Sequence, residues 1–128
     1  MTDASQYLLV CYLAVQDVGE PVPPGYVADE LDRSPAVVTE TLQRLEDHDY
    51  LTYEPYDGAT LTAHGREKAA ELYETHVVLS TFFRDVLELE APEREAMALA
   101  GNVSALVTER VAETLLETED IDAVDVSA

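Results

Sequence analysis

Cations are scarce in this chain: seven lysines and arginines stand against 27 aspartates and glutamates, the formal charge is −20, and Lys68 is the only lysine. Such a balance ordinarily argues against nucleic acid, because phosphate contacts come from Lys and Arg. Cysteine is reduced to Cys11, which excludes an internal disulfide framework. There is no run of 18 apolar residues and no signal-peptide pattern, so a cytoplasmic protein without membrane contact is expected. Histidine is limited to His48, His64 and His76, and no Gly-rich phosphate loop, HExxH or nucleophile elbow occurs. Carboxylate pairs in so acidic a chain arise by chance, and no enzyme is expected.

The apolar fraction nevertheless stays at 47%, and the 128 residues are enough to bury a substantial core. The acids are spread along nearly the whole sequence rather than gathered in one block. That pattern suits molar intracellular salt, where self-repulsion is screened within about 3 Å at 1 M. An extreme halophile, archaeal in type, is the expected source. An acidic interaction protein or a DNA mimic is the alternative.

Periodicity then sets the organisation. Apolar residues recur at helical spacing from Ser5 to Val18 (Tyr7, Leu8, Cys11, Tyr12, Val15), and Gly19 ends the run. "EPVPPG" is a stiff connector, and "YVADELDR" makes a short helix with Val27, Ala28 and Leu31 inward. In "SPAVVTETLQRL", Ser34 caps a helix over 35–47 and Pro35 suits its first turn. Val38, Thr41, Leu42 and Leu45 form its inner stripe, which leaves Ala36, Thr39, Glu40 and Gln43 outward. Next, "YLTYEPYDGATLT" alternates and carries Asp57-Gly58, which predicts two strands joined by a two-residue turn. Helical patterns follow over 63–87, from Pro92 to about Ala100, and over 104–116 with Ser104 as cap. The acidic end, 117–128, reads as a disordered tail.

Helix, helix, capped helix and hairpin within about 60 residues describe a winged helix-turn-helix. The fold class is therefore mainly α with a small β-wing: an N-terminal winged helix-turn-helix (1–65), then a helical dimerisation region (66–116). In the major groove the capped helix would place Thr39 and Gln43 near base edges, flanked by Ala36, Glu40 and Arg44. Arg33, Ser34, Pro35 and the free amides of the helix start would lie at phosphates, with Arg66 nearby and the wing tip Tyr56, Asp57 and Gly58 against the backbone. A winged fold used only for protein contacts is the alternative. Cys11 reads as a small buried hydrophobe, or else as an oxidant sensor.

The stretches "QYLLVCYL", "VADELDRSPAVVTETLQRLEDHDYLTYEPYDGATLTAHGREKA" and "ETHVVLSTFFRDVL" resemble the DtxR-type metal-dependent repressors, in the short form without a C-terminal SH3-like domain. The resemblance covers roughly residues 5–116 and is most specific over 27–65. It implies a homodimeric DNA-binding regulator whose helices after the wing dimerise, through Leu72, Tyr73, Val77, Leu79, Phe82 and Phe83, and ligate Mn²⁺ or Fe²⁺. Carried over position by position, the ligand set thins. His76 matches, but Gln6, Leu9, Ser80, Met97, Ala100 and Gly101 stand at the other ligand positions. A manganese or iron(II) site needs several hard donors. The expectation is a regulator with no metal cofactor, with His76 a core or interface histidine. A metal-responsive repressor whose site is remodelled with Glu74, Glu93 or Glu95 is the alternative.

Overall fold

In a computed structural model the backbone is described for residues 2–127 and the side chains for residues 4–116. The acidic end, 117–128, expected to be disordered, is helical in its backbone as far as Ser127, and its side chains lie outside the described residues. The elements run α1 (Thr2–Asp17), α2 (Pro24–Leu31), α3 (Pro35–Asp47), β1 (Leu51–Glu54), β2 (Gly58–Leu61), α4 (Ala63–Asp85), α5 (Pro92–Leu99) and α6 (Ala105–Ser127). The mainly helical class with a small β-wing is what the structure shows. The chain divides into two compact units, Met1–Tyr73 and Glu74–Ala128, and the division falls inside α4.

The first unit is the winged helix-turn-helix. Val27 and Ala28 of α2, Val38, Leu42 and Leu45 of α3, and Leu51 and Leu61 of the wing are all buried in its core, with α3 against both α2 and β1. Each buried valine or leucine among them contributes about 1.5–3 kcal/mol. α1 is apolar on more of its circumference than the expected stripe: Leu9, Val10 and Ala14 are buried as well as Tyr7, Leu8 and Cys11, whereas Val15 is exposed. Tyr12 is half-buried and tilts against Tyr73, ring centroids 5.7 Å apart.

The wing corrects the hairpin expectation. β1 and β2 are antiparallel with Glu54 opposite Gly58, so the connection is the three residues Pro55, Tyr56 and Asp57. Pro55 presets the second position of a turn that closes from the Asp57 N–H to the Glu54 carbonyl at 3.1 Å, and this displaces Gly58 from the turn centre into the strand. Gly58 has φ +126, and a Cβ there would lie 2.1 Å from the Val22 carbonyl oxygen. The cause is a third segment in the sheet that the sequence did not disclose. Val22, in the connector after α1, exchanges both backbone hydrogen bonds with Ala59, at 2.7 and 2.9 Å.

In the second unit Leu79 and Phe83 of α4 pack with Ala96 of α5, and Phe82 and Val103 lie against them. Ser104 caps α6 as expected, its Oγ accepting from the Val107 N–H at 3.2 Å. Leu72, Leu79 and Phe83, expected in a dimer interface, are instead buried within the chain, because α4 turns these side chains to its own core. Tyr73 and Val77 remain exposed, and so do Leu106, Val107 and Leu116 of α6.

Candidate nucleic-acid interface

α3 begins where Ser34 takes extended backbone and its Oγ accepts the Val37 N–H at 3.3 Å, with Pro35 in the first helical position. The cap satisfies one of the amides the helix start leaves open. The inner stripe of Val38, Thr41, Leu42 and Leu45 is buried as expected. That burial fixes the opposite face. Ala36, Glu40, Gln43 and Arg44 are exposed beside Ser34 and Pro35, whereas Thr39 is half-buried and is a poorer candidate for a base edge. Sequence reasoning missed Val37, a large apolar side chain 44% exposed in the first turn. Its neighbour Val38 took the inner stripe, and that was the available signal.

Backbone and side-chain bonds tie this helix to the wing. The Glu46 carboxylate accepts the Tyr53 N–H at 2.8 Å, and the Thr62 hydroxyl donates to the Asp49 carbonyl at 2.6 Å. Tyr50 stacks on His64, ring centroids 4.8 Å apart. At the wing tip Tyr56 is fully exposed with Asp57 beside it, whereas Gly58 is buried, so it shapes the loop and offers no surface to a phosphate.

Of the expected cations, Arg33 and Arg44 are exposed at the two ends of the reading helix. Arg66 is a correction. Its guanidinium donates to Glu20, a largely buried carboxylate whose other oxygen accepts the Leu61 N–H at 2.8 Å, so it serves the joint between connector and wing. A carboxylate taken out of water in this way requires a cation. The same Glu20 acts on Cys11. Burial, reinforced by that negative charge, pushes the Cys11 thiol up to about 12, so no thiolate is available to an oxidant near neutral pH.

In the second unit His76 is buried, and its Nδ1 has no hydrogen-bond partner. Burial pulls its pKa below the usual value, and the Glu93 carboxylate opposes this. The Ser80 hydroxyl donates to the Val77 carbonyl at 3.1 Å, Leu9 and Ala100 are buried, Gln6 and Met97 are half-buried, and Gly101 is exposed. Among the described residues no group of three or more His, Cys, Asp and Glu side chains comes together as a metal site. The donors by His76 fit a divalent ion in type, an open imidazole nitrogen and a carboxylate, but fall short in number. Glu74 and Glu95 are exposed.

The titration of His76 has a stability consequence. Folding disfavours its protonated form, so protons bind more readily to the unfolded chain. The stabilisation is complete above the unfolded value of about 6.5 and declines as pH falls through that value. In chelator and high salt, the difference in urea midpoint between the native chain and His76→Gln is expected to shrink from pH 7.5 to pH 5. A difference that stays constant with pH would contradict a neutral buried imidazole.

Similarities to four known proteins or families bear on this geometry. Residues 1–59 match the family model of the iron dependent repressor, N-terminal DNA binding domain. An HTH-type transcriptional regulator of Methanocaldococcus jannaschii is 31% identical over 82% of this chain and 86% of its own length. The HTH-type transcriptional regulator MntR of Listeria welshimeri is 41% identical over 44% of this chain and 39% of its own. A manganese-dependent transcriptional repressor, solved in complex with manganese, superposes with TM-score 0.74 at 25% identity over 88% of this chain and 52% of its own. The chain thus spans about half the length of that solved repressor. The manganese-bound neighbour overturns the expectation of no cofactor: that repressor, similar in fold and at 25% identity, is manganese-dependent, which points to a metal rather than none. Among the described residues no helix is long and apolar enough to cross a membrane.

Proposed function

This chain belongs to the iron-dependent repressor family of DtxR and MntR type, transcriptional regulators and not enzymes, and from that premise we propose that it is a homodimeric, metal-responsive DNA-binding repressor. The observation that carries the reading is the capped α3, which turns Ala36, Val37, Glu40, Gln43 and Arg44 to solvent directly before a wing with an exposed tip. α3 enters the major groove with its N-terminal turns at base edges, and Tyr56 meets the backbone. The winged unit reads DNA, and the helices after it pair with those of a second copy.

Mn²⁺ or Fe²⁺ is the effector class, and the site is remodelled. His76 through Nδ1 and Glu93 are the side chains that would hold the ion. Bound there, it would supply positive charge that fixes those two side chains together. Two protein donors leave most of the coordination sphere to water, so a weak site is expected, saturating at higher free metal than a family site of four or more donors. The negative charge fits a cytoplasm of molar salt, and there the usual steep loss of DNA affinity with salt should be weak or reversed.

The test is binding of the purified protein to genomic fragments at 0.5–3 M KCl, with chelator and with Mn²⁺ or Fe²⁺. Tighter binding with metal, lost in His76→Gln, is expected. No binding under any condition would leave the fold as a protein-contact scaffold. Equal binding with chelator and with metal would remove the metal switch, and a salt slope as steep as that of a basic repressor would remove the salt adaptation.

A further inference from the structure

The exposed turns of α3 carry a selective chemistry. Val37 is the one large apolar side chain of this helix exposed to solvent among the described residues, while Val38, Leu42 and Leu45, one to eight residues further along the helix, are 0–2% exposed. Its backbone is pinned, since its N–H is the one that Ser34 Oγ caps. A β-branched side chain in a helix has essentially one rotamer, so its two methyl groups are held in place before any ligand arrives. Ala36, also exposed, widens the apolar spot. One turn on, Glu40 is exposed and offers only acceptors. Between Pro35 and Leu42 there is no cation, because Arg33 precedes the helix and Arg44 follows these turns.

In the major groove each of these features selects a base. Arg or Lys would pair with guanine, and these turns have neither; a carboxylate facing guanine N7 and O6 meets two acceptors and is repelled. Cytosine presents the N4 donor that a carboxylate accepts, and thymine presents a methyl group that Val37 and Ala36 can cover. Resting on the DNA-reading function proposed above, we infer that Val37 and Glu40 are the specificity residues and that they read a pyrimidine pair, thymine at Val37 and cytosine at Glu40. Three helical residues rise about 4.5 Å, which spans one to two base-pair steps of about 3.4 Å. The two pyrimidines therefore lie at adjacent or next-adjacent pairs in each half-site.

Enrichment of binding sites from random duplexes, at molar KCl with Mn²⁺, supplies the probe. The enriched half-site should contain thymine and cytosine at that separation. Replacing its thymine by deoxyuridine removes only the methyl group. The native protein should then lose about fourfold in affinity, the worth of one buried methyl, and Val37→Ala should lose nothing further. Glu40→Gln should move the preference at the cytosine position to adenine, which a glutamine amide pairs with. An equal deoxyuridine loss in the native protein and Val37→Ala, or an unchanged cytosine preference in Glu40→Gln, overturns the inference while DNA binding stands. A library in which nothing is enriched overturns the DNA-reading function, and the inference with it.

Discussion

Gly65→Ala is expected to destabilise the winged unit by about 3 kcal/mol or more, although alanine is the better helix former by about 1 kcal/mol in an ordinary helical position. A Cβ at Gly65 would stand 1.7 Å from the Tyr50 carbonyl oxygen, 2.7 Å from its carbon and 3.2 Å from its Cα, all backbone atoms that no rotamer change can move. The closeness has a cause. The Tyr50 carbonyl accepts the Thr62 N–H at 3.1 Å, and the Thr62 hydroxyl accepts the Gly65 N–H at 3.0 Å, so α4 starts directly on the chain that leaves α3. Relief would require parting α4 from that chain, at the cost of these bonds and the stacking of Tyr50 on His64. Chemical denaturation in molar KCl reads the loss, with Gly25→Ala as control. Gly25 has nothing within 4 Å of its added Cβ, so that variant should be neutral or slightly stabilised. Equal behaviour of the two variants would contradict the close approach at Gly65.

That glycine marks the limit of what was legible in the sequence. The bounds of α3, its cap and its inner stripe could be read because each is set within four or five residues: Ser34 and Pro35 at the start, then apolar spacing. The wing was legible as two strands, but the roles of Gly58 and Gly65 were not, since each answers to backbone from elsewhere, Val22 in one case and Tyr50 in the other. Arg66 was misjudged for the same reason. Its partner Glu20 lies 46 residues away in sequence, and only the fold brings them together. In α4 the apolar pattern is dense enough that periodicity does not separate the face packed in the chain from the face left open, and Leu72, Leu79 and Phe83 were assigned to a partner although they are the chain's own core. The metal question turned on substitution. Absent family ligands were visible and Glu93 was among the candidate replacements, but the open Nδ1 of His76 was not visible, nor was the choice of Glu93 over Glu74 and Glu95 as the carboxylate that acts on it.

The second large effect concerns pairing of two copies. Leu106 and Leu116 on α6 are 61% and 60% exposed, and Val107 is 49% exposed, in a chain whose surface is otherwise rich in carboxylates. Covering such a leucine is worth about 1.5–3 kcal/mol, and replacing it with glutamate both forfeits that gain and requires a charge to be desolvated. Leu106→Glu combined with Leu116→Glu is therefore expected to shift the proposed dimer to monomer in sedimentation at molar KCl. Both side chains are exposed, so the helical circular dichroism should be unchanged. On an operator with two half-sites, affinity should fall by about 10²- to 10³-fold, because the second winged unit is no longer delivered at high local concentration; a single half-site should be bound as before. The split between the two DNA probes is decisive. Loss on both would mean that the substitutions disturb the reading unit, and a dimer that persists would move the interface away from α6 to other exposed apolar residues, such as Tyr73 and Val77 of α4, Val86, Leu87 and Leu89 after it, and Leu99 in α5.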